Sequence, residues 1–123
     1  MIQDVCLGDI IIDCGDNNNL REFYAELLRW ERCEMYGMPG VRSRGGVVFL
    51  FIQEDDYVPP IWPEQVSKQQ KQMHFDFTVP DVFASVQHAE ELGAIKTQEQ
   101  FGGDHFTTML DPAGHPFCLC AKA

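Results

Sequence analysis

Two eight-residue stretches decide the fold: Asp9–Asp16, DIIIDCGD, and His74–Asp81, HFDFTVPD. Both alternate polar and apolar residues, both end in Asp, and each runs into a segment of helical periodicity. After the first, Leu20, Phe23, Tyr24, Leu27 and Leu28 recur at three- and four-residue spacing, the apolar stripe of an amphipathic helix. Asp16 and the asparagines behind it are natural N-caps, because their side chains accept from the unpaired amides of the first turn. After the second, Asp81 caps a helix that buries Val82 or Phe83, Val86, Ala89 and Leu92, and Gly93 supplies its left-handed stop.

Each helix leads into three further strand candidates. In the first half these are Arg29–Met35, Val41–Arg44 and Val47–Gln53, punctuated by Gly37, Pro39, Gly40, Gly45 and Gly46. In the second they are Ala94–Gln100, His105–Leu110 and Phe117–Ala121, with turns at Gly102-Gly103-Asp104 and Asp111-Pro112-Ala113-Gly114. Both halves therefore read β-α-β-β-β. The expectation is an α+β fold, one domain of two βαβββ repeats over about residues 1–53 and 72–123. Pro59, Pro60 and Pro63 break regular structure in the crossover between them, residues 54–71, which Tyr57 and Trp62 are placed to pin down.

The chain has 123 residues, of which 45% are hydrophobic and 11% aromatic, enough for one packed core. Nine basic residues against nineteen acidic ones give a net charge of −10, which argues against binding nucleic-acid phosphates or anionic lipid. The longest apolar run, Val47 to Ile52, is too short to span a membrane as a helix. The N-terminal MIQDVCLGDI lacks the basic start and apolar run of a secretory signal, so a cytoplasmic protein is expected. Cys6, Cys14, Cys33, Cys118 and Cys120 are odd in number and contain no Cys-x-x-Cys pair. They read as reduced thiols rather than a disulfide framework or zinc knuckle.

Strand alternation sorts the faces. Ile10, Ile12 and Cys14 share one face of the first strand, and Asp9, Ile11 and Asp13 share the other. In its repeat, Phe75, Phe77 and Val79 share one face, and His74, Asp76 and Thr78 the other. The apolar faces pack on the helices. Carboxylates and an imidazole are costly to bury unless paired or solvated, so the polar faces are expected to line a wet pocket inside a curved sheet. A face open to bulk solvent is the alternative.

The two βαβββ copies, the FYAELL helix, the PPIWP loop, the HFDFTVPD strand and the DPAGHPFCL ending resemble the vicinal oxygen chelate superfamily. The match is to its glyoxalase-like branch, related to glyoxalase I, bleomycin-resistance proteins and extradiol dioxygenases. The resemblance covers nearly the whole chain. It implies mixed sheets curled around a cleft with helices outside, a small-molecule ligand, and a homodimer.

Metal-using members of that superfamily hold a divalent ion with His, Gln or Glu at the start of each copy's first strand and a carboxylate near the end of each copy's last. Carried over position by position, those ligands become Asp9, Leu50, His74 and Cys118. Leu50 cannot coordinate, Gln53 points to the other side of its strand, and a thiol suits Mg²⁺ or Mn²⁺ poorly. The expectation is therefore no cofactor and no tightly bound metal in the conventional site. Asp9, His74 and Cys118 remain an alternative open zinc set.

Other residues carry weaker signals. His105 stands at a strand start, His88 on the second helix, and His115 in a turn. Arg42 and Arg44 alternate on one strand, facing either an anionic substrate or solvent. Met35, Tyr36 and Met38 serve equally as pocket wall or core. Three functions stay open. One is a metal-free binding protein with His74 as the central side chain and Asp9, Asp13, Asp76 and Cys118 around the ligand. Another is a metal-dependent lyase, isomerase or dioxygenase of the glyoxalase type. The third is a metal-independent lyase or isomerase with His74 or a carboxylate as general base.

Overall fold

Residues 4–122 are described by a computed structural model; the N-terminal stretch read against a secretory signal begins outside this range, and Ala123 lies beyond it. The chain divides into two compact units, Met1–Tyr57 and Val58–Ala123. The first contains β1 (Ile10–Cys14), α1 (Asn17–Leu28), β2 (Glu31–Met35), β3 (Met38–Arg42) and β4 (Val48–Gln53). The second contains β5 (Phe75–Thr78), α2 (Val82–Glu91), β6 (Ile95–Lys96), β7 (Phe106–Leu110) and β8 (Pro116–Cys120). The sheets run β1-β4-β3-β2 and β5-β8-β7-β6. In each, the first strand pairs parallel to the last and the other neighbours are antiparallel. The α+β fold of two βαβββ repeats is thus what the chain adopts.

The repeat extends to the hydrogen-bond register. Ile11 faces Leu50 across the parallel pair, and Asp76 faces Cys118 across its counterpart. Gly40 faces Leu50 from the other side, and Thr108 faces Cys118. Ile11, Leu50 and Gly40 of the first unit are therefore the structural equivalents of Asp76, Cys118 and Thr108 of the second. Asp9 precedes β1 by one residue, as His74 precedes β5.

Both helices start on the expected caps. The Asn19 amide donates to the Asp16 carboxylate at 3.0 Å, and the Ala84 amide donates to Asp81 at 3.0 Å. The stop of α1 falls on Arg29, a non-glycine residue with φ +56, which delays the next strand to Glu31. Gly93, with φ +108, ends α2. Its inward face is narrow: Val86 and Ala89 are buried, while Phe83 remains 74% exposed, so Val82 rather than Phe83 turns inward. In the first unit Leu20, Phe23 and Tyr24 bury the helix against the sheet, and Tyr24 stacks on Phe51 at 5.7 Å between ring centres.

Two strands differ from the sequence reading by more than two residues at one end. Pro39 and Gly40 lie inside β3, not in a turn. The turn is Tyr36-Gly37, both at positive φ, the two-residue connection that suits a hairpin's twist. Pro39 pairs only with β2, beyond the β4 ladder, where its missing amide hydrogen is not needed. A side chain at Gly40 would come within 2.6 Å of Leu50 Cδ2 and closer still to the Phe49 carbonyl, so the strand requires glycine there.

The other difference is β6, two residues long instead of the expected Ala94–Gln100. The Gln100 side chain takes over the ladder. Its Oε1 accepts from the Thr108 amide at 2.8 Å, and its Nε2 donates to the Thr108 carbonyl at 2.9 Å. One side-chain amide supplies a donor and an acceptor such as a neighbouring strand residue would have given, and beyond Thr97, whose amide still donates to the Thr108 carbonyl, the backbone leaves the sheet.

Candidate functional site

In the second unit, α2 covers one face of the sheet and His74, Asp76 and Cys118 share the other. Alternation along β5 sends Phe75 and Phe77 toward the core, where Phe77 meets Phe117 at 6.0 Å, and leaves His74 and Asp76 opposite. The parallel register then sets Cys118 beside Asp76. His74 Nε2 lies 3.3 Å from Asp76 Oδ1, with the two side chains 41% and 63% exposed. One donor atom from each of His74, Asp76 and Cys118 falls within 4.8 Å of the other two. Cys118 is buried at the base of this group, and its sulfur is 3.4 Å from the Thr108 hydroxyl.

Burial pushes the Cys118 thiol above its ordinary pKa. The Thr108 hydrogen bond and the Lys71 charge work against that shift, and the Asp76 carboxylate adds to it. The protein therefore holds a neutral thiol next to a carboxylate and an imidazole. Lys71 is itself fixed by an ion pair to Glu64 and sits 4.3 Å from the centre of the Trp62 ring, which in turn meets Phe101 edge-on at 6.2 Å. Cys120, one step along the same face, is also raised, mainly by burial.

The Asp76 carboxylate stands within ion-pair distance of the imidazole. A neutral imidazole that keeps its proton on the Nε2 facing Asp76 leaves on Nδ1 the lone pair available to a ligand proton. The Thr108 hydroxyl and Cys118 thiol offer neutral hydrogen-bonding groups beside it.

Asp76 and Cys118 thus stand beside His74. Asp9 and Asp13 belong to the first unit: Asp9 is half-buried before β1, and Asp13 is exposed on it. The cluster of the second unit forms without them. Thr108 and Lys71 were missed from sequence. Thr108 is legible only once the register from the Asp111–His115 turn is counted back along β7, and Lys71 lies in the crossover, where periodicity says nothing.

The remaining candidates resolve into structure. The Asp111 carboxylate is buried and accepts from the Ala113 and His115 amides, so His115 serves the turn. His105 is exposed and its carbonyl accepts from Ala121. His88 is exposed in the last turn of α2. Arg42 reaches Glu31 at 3.6 Å and the Met35 sulfur at 3.8 Å, while Tyr36 is exposed at the hairpin tip.

The residues do not fit the superfamily's four-strand metal site. Leu50, at the position equivalent to Cys118, is a fully buried hydrocarbon, and its neighbours in register are Ile11 and Gly40. The first unit offers a single oxygen ligand there, Asp9, and a hard dication needs several.

Two units of this topology, each a four-stranded mixed sheet under one helix, define the glyoxalase, bleomycin-resistance and dioxygenase class of fold. The chain belongs to the glyoxalase-like domain family, whose sequence pattern matches residues 9–120. The solved structure of the fosfomycin resistance protein FosX from Listeria monocytogenes superimposes with a TM-score of 0.71 at 17% identity, covering 100% of this chain and 94% of that one. A glyoxalase/bleomycin resistance protein/dioxygenase family enzyme from Burkholderia phytofirmans gives 0.70 at 14% identity, with 93% and 96% covered. A lactoylglutathione lyase from Agrobacterium tumefaciens gives 0.60 at 14% identity, with 98% and 96% covered. At these identities the likeness is one of fold. No curated protein matches the sequence closely enough to count as a relative. Among the described residues, no helix is long and apolar enough to cross a membrane.

Proposed function

We propose that this protein binds a small molecule in a cleft lined by the His74–Asp76–Cys118 face, without the superfamily's conventional four-strand metal ion. The observation that carries the reading is the His74–Asp76 pair at 3.3 Å, partly exposed, beside a buried thiol with its own hydroxyl partner. Polar groups converging on a sheet face opposite its helix suit ligand recognition. In this proposal the two repeats make one domain, and Asp9 and Asp13 are ligand-binding carboxylates of the first unit. With Asp76 and a net charge of −10, they favour a cationic or polyhydroxylated ligand. The protein acts as a homodimer in the cytoplasm, a location supported by five cysteines that remain outside any disulfide.

The same pair favours a second reading, general-base catalysis of a lyase or isomerase reaction by His74, with Asp76 as its positioning residue. A thermal-shift screen of cationic and polyhydroxylated compounds tests the binding proposal. Compounds that stabilise the wild type and fail to stabilise His74→Ala and Asp76→Asn support it. Hits that stabilise both variants as well as the wild type place the site elsewhere. Sedimentation at micromolar concentration tests the dimer, and monomer alone removes that part.

A further inference from the structure

We propose that His74, Asp76 and Cys118 together hold one Zn²⁺ ion, using donors from the second unit only. The ion occupies the face described above, so the inference deepens the proposed function and rests on it for any catalytic use. The binding itself depends only on the three side chains.

The placement follows from backbone register, not from a mobile loop. His74 and Asp76 are two residues apart, so both project from the same side of the chain. Asp76 and Cys118 are paired neighbours in the parallel ladder. Three donors of different type therefore meet, with their atoms all within 4.8 Å of one another. Tetrahedral zinc, with bonds of about 2.0–2.3 Å, spaces its donors by roughly 3.3–3.8 Å. His74 Nε2 and Asp76 Oδ1 already stand 3.3 Å apart. The proposed ion draws the donors together through rotation of the His74 and Asp76 side chains, which are 41% and 63% exposed.

The donor chemistry selects the ion. Imidazole, carboxylate and thiolate form a mixed N, O and S set that a borderline-soft cation accepts and that Mg²⁺ or Ca²⁺ does not. Binding replaces the Cys118 S–H bond with an S–Zn bond and releases the proton to solvent. The carboxylate and thiolate then balance the dication. The Thr108 hydroxyl, 3.4 Å from the sulfur, is placed to donate to the thiolate, the outer-shell support such sites need. Three protein ligands leave a fourth position on the side where His74 and Asp76 are exposed, the arrangement of zinc sites that admit water or a ligand oxygen.

The test uses the full chain, purified without a metal-affinity tag, stripped with chelator and titrated with Co²⁺ as the coloured substitute for Zn²⁺. The expected result is one equivalent bound, a near-ultraviolet thiolate-to-cobalt charge-transfer band, visible bands of tetrahedral intensity, and displacement by one equivalent of Zn²⁺. Cys118→Ser should lose the charge-transfer band, His74→Ala and Asp76→Asn should weaken binding by at least about tenfold, and Cys6→Ser should change nothing. If Cys118→Ser does not fold, X-ray absorption on the zinc-loaded wild type decides instead, with one sulfur expected at about 2.3 Å. A missing charge-transfer band, a band that survives in folded Cys118→Ser, or a zinc shell without sulfur overturns the inference. If cobalt binding fails while small-molecule thermal shifts still depend on His74, the ion is refuted and the ligand site stands. If cobalt binds as expected and the shifts are independent of His74, the ion stands and the ligand reading falls.

Discussion

Replacing Gln100 should loosen the strand that supports the candidate site, by an amount that the hydrogen bonds allow us to estimate. Thr108 is 3% exposed, and its amide donates to Gln100 Oε1 at 2.8 Å. In Gln100→Ala that amide is left buried without this acceptor, at a cost of about 1–3 kcal/mol. The Thr108 carbonyl fares better, because the Thr97 amide and hydroxyl still donate to it, each at 3.2 Å. Destabilisation of about 2 kcal/mol corresponds to a drop in melting temperature of roughly 6–12 °C for a domain of this size. Urea unfolding measures the free energy, and hydrogen exchange of the Thr108 amide locates it. Gln100→Glu sharpens the reasoning. It keeps an acceptor for the Thr108 amide but sets a carboxylate against the Thr97 and Thr108 carbonyls. Its folded-state pKa should rise, so the variant should be least stable relative to wild type at neutral pH and recover as pH falls and the carboxyl protonates. A Gln100→Ala protein as stable as wild type, with an equally protected Thr108 amide, would refute the claim that this side chain replaces a strand.

Three further outcomes follow from particular residues. Tyr24→Ala removes a fully buried ring stacked on Phe51 and should cost about 3–5 kcal/mol by urea unfolding. Iodoacetamide mapped by mass spectrometry should label exposed Cys6 first; Cys118 should resist at neutral pH and gain label as pH rises, because burial holds its thiol protonated. The Arg32 hydrogen bond holds Glu22 below the usual carboxylate range, so the pair's contribution is present above the unfolded carboxylate pKa and lost as pH falls through the lowered one; both side chains are exposed, so the effect should be small and vanish in high salt, as acid titrations of Glu22→Gln against wild type will show.

The β-α-β-β-β repeat was legible because its signals are local. Asp16 and Asp81 cap helices wherever they stand before an amphipathic stripe, and period-two alternation in DIIIDCGD and HFDFTVPD assigns faces without reference to the rest of the chain. The site was legible to the extent that it shares this logic: His74 and Asp76 fall on one side of β5, and the ending places Cys118. What escaped was set by tertiary contact. Gln100 reads as a strand residue, yet its amide displaces the strand. Pro39 and Gly40 read as a turn, yet one lies beyond the ladder and the other admits Leu50. Arg29 carries no mark of a left-handed cap. Asp76 reads as one carboxylate among several around a ligand, and its 3.3 Å approach to His74 emerges only from the folded strand.

The central claim is that chemistry belongs to the His74–Asp76–Cys118 face and not to a four-strand site for a hard cation. Native mass spectrometry of the chelator-stripped protein, offered equimolar Mg²⁺, Mn²⁺ and Zn²⁺, addresses it most directly. The account predicts one Zn²⁺ per chain in the wild type, none in Cys118→Ser, and no retained Mg²⁺ or Mn²⁺. No metal taken up at all would remove the zinc ion and leave the ligand site, whereas stoichiometric Mg²⁺ or Mn²⁺, or Zn²⁺ retained by Cys118→Ser, would contradict the claim.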